Sequence, residues 1–413
     1  MNAAPTRAIE GVNNTHFGLD GVNFCVAAMQ TSFGAFITVY LVKSHWPPQA
    51  LGFALTIATM SALISQMPAG AFIDSTRDKR RPVLLGVVGL SLAALLLCTS
   101  SVRPAVYLAL AVQGLASSLI SPGIAAMSLA LVGQAALSER VGRNARFASI
   151  GNGLAAAVMG FAGSYLPAVS MFLVAAVLGL PALFALSFIG NVRTGRPPAD
   201  PSPAGAQRPD DARLTWEGMK VLLLDRRLEI FAACVVLFFA ASAAIGPGVA
   251  AVETRRRPEF ATLVVAATIL IPQAIVAAIS PWIGRRANVS GRKPLLLIGW
   301  ALLPIQACLY AMLPFPVALV AGSLLNAFSA AIFGVMMTVV VADLTRQTGC
   351  FNLTLGALGV AMSLGASAST FFTGITAGAL GADAAALGLA FVGLCGVVLL
   401  WAGMPETRAA ASD

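Results

Sequence analysis

Long apolar runs alternate with short polar gaps along this chain, and run length decides what the runs are. A helix needs about 20 apolar residues to cross the hydrocarbon core of a bilayer. In the first half such runs cover residues 17–42, 50–73, 82–101, 104–132, 147–166 and 168–190. In the second they cover 229–252, 261–283, 294–313, 315–342, 352–378 and 384–404. Each is predicted to cross as a helix, because lipid offers no partner for an unpaired backbone group. The expected fold class is an all-α polytopic membrane protein with twelve transmembrane helices. An N-terminal six-helix bundle is expected over 1–190, a linker over 191–228, and a C-terminal six-helix bundle over 229–413. The linker holds Pro197, Pro198, Pro201, Pro203 and Pro209 beside Asp210 and Asp211, a composition that predicts disorder. Its last part, LTWEGMKVLLLDRRL, suits a short interfacial helix with Trp216 at the headgroups.

Two of the polar gaps repeat one another. GAFIDSTRDKRRP runs from Gly70 to Pro82, and GRRANVSGRKP from Gly284 to Pro294. Each has a Gly, then Asp74 or Asn288 four residues on, then a basic cluster closed by Pro. Two further matches keep the same order. FCVAAMQTSFGAF aligns Cys25 with Cys234 of ACVVLFFAASAAI, and GRNARFASIGNG (142–153) resembles TGCFNLTLGALG (348–359). Repeated six-span halves related by an axis along the membrane normal are a transporter plan.

Composition removes the soluble alternative. Hydrophobic residues make up 58% of the chain and charged residues 10%, where a soluble domain carries roughly a quarter charged. The net charge of +9 does not point to nucleic acid, because the basic residues sit in the gaps. With the N-terminus inside, only Lys43, Arg103, Arg255, Arg256 and Arg257 face outward, and every other Lys and Arg lies on the cytoplasmic side. Both termini are therefore expected to be cytoplasmic. Cys25, Cys98, Cys234, Cys308, Cys350 and Cys395 form no CxxC pair and fit as packing residues. His16 and His45 stand at opposite ends of the first run, too far apart to share a metal. The short polar N-terminus has no signal-peptide pattern, and no Walker A loop points to ATP.

Twelve spans, two halves and a Gly-x-x-x-Asp basic gap after span 2 together resemble the major facilitator superfamily (MFS). The family pattern is roughly G-x-x-x-D-x-x-G-R-K. The second copy carries Gly284, Asn288, Gly291, Arg292 and Lys293 on it, with Asn in place of Asp. The first keeps Gly70 and Asp74, has Arg77 where Gly is expected, and continues through Lys79, Arg80 and Arg81. The resemblance implies a gate latch in which Asp74 lies against a helix N-terminus or an Arg, with Gly70 and Gly284 allowing close helix packing. It also implies a central cavity lined chiefly by spans 1, 4, 7 and 10.

Intramembrane acids are usually functional, and few are present. Asp20 lies near the start of span 1, Glu229 near the start of span 7, Asp343 at the end of span 10, and Glu253 and Glu259 in the gap after span 7. Asp20, Asn23 and Gln30 share one face of span 1, which Phe33 and Gly34 extend. That stripe is the best candidate for a cavity wall, with polar glue between helices as the alternative. Gln113, Asn152, Gln273 and Asn326 are the other substrate or coupling candidates, with Gln66 and Gln306 also at midspan. Met29, Phe239 and Met337 would suit varied apolar shapes. The family's drug/proton antiporters carry an Arg at the site of Leu110 and a Gly-Pro in span 5, and this chain has neither.

The expectation is a secondary transporter for a small neutral or amphipathic solute, proton-coupled through Asp20 and working as an exporter. An importer of a nutrient or metabolite, or a non-transporting scaffold or sensor on the same fold, remain open alternatives. An enzyme would need a clustered His, Asp or Cys constellation. No cofactor or metal is expected. The expected partners are the lipid bilayer, a small-molecule substrate and a proton, with the chain acting as a monomer. Its Ala and Gly richness suits a bacterial inner membrane.

Overall fold

The computed structural model describes residues 4–100, 102–167, 169–190, 225–245, 261–313, 317–346 and 348–407. Helix accounts for nearly all of them, and no strand occurs among them. Helix α1 (Ala4–Thr31) continues through a π-helical turn (Ser32–Phe36) into α2 (Ile37–Lys43). Then follow α3 (Pro48–Ser75), α4 (Arg80–Thr99), α5 (Arg103–Tyr165) and α6 (Ser170–Phe188). The second half carries α7 (Arg226–Ser242), α8 (Ala261–Ser290), α9 (Lys293–Met312), α10 (Val317–Leu344), α11 (Phe351–Leu380) and α12 (Ala382–Gly403). Each predicted span overlaps one of these helices, with α1 and α2 supplying the first and α5 both the fourth and the fifth; residues 246–252 of the seventh lie outside the described residues. Eight of the described helices are long and apolar enough to cross a membrane by length and composition. Most of the predicted linker, including Trp216, lies outside the described residues, as do Glu253, Glu259 and Arg255–Arg257.

Two boundaries differ from the sequence reading. The polar gap expected over 133–146 is helical, broken from the preceding helix only at Gly133, whose φ is 68°. A Gly takes that left-handed conformation without a Cβ penalty. The second basic motif is also mostly helix, since α8 runs to Ser290 and α9 begins at Lys293. Gly284 and Asn288 are thus one helical turn apart on α8, as Gly70 and Asp74 are on α3.

The chain forms two compact units. Unit 1 holds Met1–Leu137, Phe147–Gly218 and Thr345–Gly356; unit 2 holds Ser138–Arg146, Met219–Leu344 and Ala357–Asp413. Each unit includes one short segment from the other half of the sequence. In unit 1, α6 packs on α1 and α4, and the buried core runs through Leu19, Met29, Leu90, Ile120 and Phe172. Met29 is wholly buried there, so it serves as core. In unit 2, Trp300 of α9 is fully buried and donates Nε1–H to the Cys234 carbonyl at 3.3 Å. Phe238 stacks on Phe333 at 4.5 Å between centroids and tilts against Trp300 at 4.6 Å.

Glycine contacts repeat between the units and fix the register of the internal repeat. A Cβ on Gly86 would meet Ile120, and one on Gly299 would meet Ile332. Gly151 lies on the Phe24 carbonyl, and Gly365 on the Val236 carbonyl. Gly142 and Gly356 are equivalent in the same way, described below. The offset from Gly70 to Gly284 therefore holds from Gly142 to Gly356 and from Gly151 to Gly365. This corrects the alignment of 142–153 with 348–359, which is eight residues out of register. It also places Phe24 opposite Val236, so Cys25 is not the counterpart of Cys234. Ala-rich and Leu-rich helices score almost equally at several registers, whereas a backbone close approach tolerates only one.

Trp300→Ala is expected to lower stability by about 3–5 kcal/mol, as for other buried large-to-Ala changes. Thermal unfolding in detergent would show it as a clearly lower midpoint; an unchanged midpoint would mean the aromatic cluster contributes little.

Candidate functional site

Asp74 sits on the last turn of α3 and accepts three hydrogen bonds from the start of α11. Its Oδ1 takes the Asn352 N–H at 3.1 Å and the Asn352 side-chain amide at 2.7 Å. Its Oδ2 takes the Leu353 N–H at 2.9 Å. The first N–H groups of a helix have no partner within it, and the positive end of the helix dipole favours an anion there. One turn back, Gly70 lies against the Asn352 carbonyl, and Gly356 against the Gln66 carbonyl, each where a Cβ would collide with backbone. The two helices thus cross at backbone contact, and that closeness brings the carboxylate onto the α11 terminus.

Unit 2 repeats the arrangement with different chemistry. Gly284 of α8 lies against the Ser138 carbonyl, and Gly142 against the Ser280 carbonyl. Asn288, one turn on, accepts the Ser138 hydroxyl at 2.7 Å. The anion on backbone N–H groups is replaced by a neutral hydrogen bond between side chains.

The basic residues also divide between two patterns. Arg292 donates Nε–H to Asp343 Oδ2 at 3.1 Å, with side chains only 8% and 12% exposed, and gives a second N–H to the Ala287 carbonyl at 2.7 Å. Glu406, past the end of α12, accepts the Arg292 N–H at 2.8 Å and the Lys293 N–H at 3.1 Å, so it caps α9. Gly291 has a φ of 85°, and a Cβ there would press on the Glu406 carboxylate. Lys293 reaches the Trp401 carbonyl at 2.8 Å. In unit 1, Lys79 takes the role that Arg292 plays in unit 2. Its ammonium donates to the Ile73 carbonyl at 2.8 Å and the Asp74 carbonyl at 3.2 Å. Burial pushes the Lys79 pKa below the ordinary lysine value, and the Asp74 carboxylate pulls it back up. Arg77 and Arg81 are exposed, and Arg80 is half-buried.

The midspan candidates are spread over α1 and α5 in unit 1 and α8 and α10 in unit 2. Asp20 and Asn23 are buried in unit 1, and the Asn23 amide donates to the Leu19 carbonyl of its own helix at 2.7 Å. Gln30 is half-buried and Gly34 exposed. Gln113 donates to Ser117 on its own helix at 3.0 Å. Asn152 accepts from Thr31 at 3.0 Å, joining α5 to α1. Gln273 and Asn326 are half-buried on α8 and α10. No cluster of three or more His, Cys, Asp or Glu suited to a metal occurs among the described residues. The residues that sequence reasoning missed are the partners: Asn352, Leu353 and Gly356 for the first motif, Ser138 and Gly142 for its repeat, and Glu406 for α9. The glycines at a fixed offset were the available signal for the first two sets.

An all-helical chain of apolar spans built as an internal repeat fits the plan of secondary transporters. The family model described as Major Facilitator Superfamily matches residues 19–285. An uncharacterized MFS-type transporter of Mycobacterium tuberculosis, present in two strains, is 33% identical over 393 residues, covering 94% of this chain and 93% of the relative. The chain belongs to the Major Facilitator Superfamily. Its fold is shared with the human organic anion transporter MFSD10 (TETRAN), with a TM-score of 0.69 at 17% identity over 94% of this chain and 98% of that one. It is shared too with the proton:xylose symporter XylE, with a TM-score of 0.70 at 14% identity over 97% and 96%. Secondary transport by alternating access is the family's activity.

Asp74→Ala removes the acceptor from two backbone N–H groups and is expected to lower stability by about 1–3 kcal/mol. Cys350, buried beside Asp74, reports the same event. With the other five cysteines replaced, its maleimide labelling is expected to speed up in Asp74→Ala, and identical rates would remove Asp74 as a clasp. Arg292→Met leaves Asp343 without its ion pair and is expected to cost about 3–5 kcal/mol, with the double change Arg292→Met/Asp343→Leu less harmful than the single. Additive melting-point losses would refute the pairing.

Proposed function

We propose that this transporter exports a small neutral or amphipathic solute and couples the movement to protons. It would act as a monomer in a bacterial inner membrane, with both termini and both basic motifs on the cytoplasmic face. The observation that carries the reading is the distribution of charge. Asp20 apart, the midspan candidates on α1, α3, α5, α8, α9 and α10 are amides, and among the described residues no Lys or Arg lies at midspan to hold an anionic substrate. The strong charges are collected at helix ends, in the Asp74 clasp and the Arg292–Asp343–Glu406 group. A clasp of three hydrogen bonds is strong enough to hold one state and weak enough to release it. Its breaking and reforming would serve as the gate of the transport cycle. The excess of Lys and Arg on one face supports the orientation.

Asp20, buried on α1, is the proposed coupling residue, since an acid within a membrane span is costly to keep and usually functional. Proteoliposomes carrying a panel of neutral and amphipathic compounds under an imposed pH gradient test both parts. Gradient-driven flux is expected for at least one such compound, and Asp20→Asn is expected to abolish the dependence on the gradient at equal protein density. Gradient-driven flux that persists in Asp20→Asn removes Asp20 from coupling, and flux of anionic compounds alone overturns the substrate class.

A further inference from the structure

A hollow of about 270 Å³ opens at one end of unit 1, between the first turn of α4 and the last turn of α6. Asp78, Arg80, Arg81, Leu84, Leu183, Leu186 and Ser187 line it. We propose that it holds the headgroup phosphate of an anionic glycerophospholipid of the phosphatidylglycerol type.

Charge is the first reason. Asp78 Oδ1 is engaged by the Arg80 N–H at 3.1 Å, and its Oδ2 stands 3.9 Å from Arg81 Nε. Lys79 is turned away to the α3 carbonyls. Two guanidinium groups against one carboxylate leave a single positive charge, which matches the monoanion of a phosphodiester. Arg80 Nε is buried and has no hydrogen-bond partner, and an unmet donor is costly. The loose Asp78–Arg81 contact, with Arg81 75% exposed, leaves a second guanidinium able to turn inward. A guanidinium fork suits phosphate oxygens.

The apolar walls are the second reason, and they separate a lipid from a free anion. Leu84, Leu183 and Leu186 form one side of the hollow, and a soluble phosphate gains nothing from them. Leu84 begins an exposed stripe that continues through Val88 and Leu92 on α4, while Leu180 and Phe184 are exposed on the facing part of α6. An acyl chain leaving the hollow would run along that surface. The hollow also lies where the basic cluster meets the start of an apolar span, the level of lipid phosphates.

Purified, delipidated protein in detergent tests the site by native mass spectrometry and thermal unfolding. The probes are dioleoylphosphatidylglycerol, dioleoylphosphatidylethanolamine, dioleoylphosphatidylcholine and inorganic phosphate. Phosphatidylglycerol is expected to stay bound and raise the melting point more than the other three. Arg80→Gln/Arg81→Gln is expected to weaken that binding by about tenfold or more, from the contribution of a basic side chain near a lipid surface. Leu183→Trp fills the hollow, keeps every charge, and is expected to weaken binding too, so the result stands even if the arginine variant fails to fold. Equal stabilisation by phosphatidylcholine or phosphatidylethanolamine overturns the headgroup assignment. Equal stabilisation by inorganic phosphate overturns the lipid, and wild-type binding in either variant overturns the site.

Discussion

Backbone close approach at a glycine is the constraint from which both clasps follow. Without a Cβ, Gly70 lets the Asn352 carbonyl lie directly on α3, and Gly356 returns the same contact to Gln66. Only at that separation can a side chain as short as aspartate reach the N–H groups of another helix. Gly284 and Gly142 impose the same separation in unit 2. The polar residue one turn beyond each glycine is therefore not an independent feature. The glycine sets the distance, the helical turn sets the direction, and Asp74 or Asn288 supplies the acceptor.

The first half of each clasp was legible because it is local. A Gly and an Asp four residues apart lie on one face of a helix, and a basic run closed by Pro marks where that helix stops. The partner halves were not legible, because Asn352 and Leu353 are 278 and 279 residues from Asp74. Their signature was a glycine at a fixed offset, hidden by apolar sequence that aligns at several registers. Glu406 gave no signal, since it follows the last span in a segment without periodicity and its role depends on where α9 starts. The polar midspan residues show another limit. Asn23 and Gln113 each commit an amide donor to their own helix, while Asn152 joins two helices. Nothing in residue type distinguishes those uses.

The span pattern survived in outline and failed at the gap over 133–146. Arg140, Arg143 and Arg146 mark that stretch as a polar gap, and it is helical because a helix carries charged residues easily once it has left the hydrocarbon. Only Gly133 interrupts it. The same reasoning explains α8, whose Arg285 and Arg286 are helical and exposed. Charge marks where a helix leaves the membrane and not where it ends.

The two clasps are related by the repeat but are not equivalent as switches. An amide oxygen such as that of Asn288 accepts a hydrogen bond over the whole accessible pH range. A carboxylate on a helix N-terminus accepts most strongly while it is ionised; protonation removes the charge, turns one oxygen into a donor and weakens the attraction to the helix dipole. Asp74 is therefore the member of the pair whose strength a proton can change. In unit 2 the charges instead lie one turn beyond the clasp, where Arg292 is held between Asp343 and the Ala287 carbonyl and Glu406 caps the next helix. Those partners tie α8, α9, α10 and the tail after α12 together within one unit. The duplication has thus left one copy with a proton-sensitive contact and the other with a braced helix end.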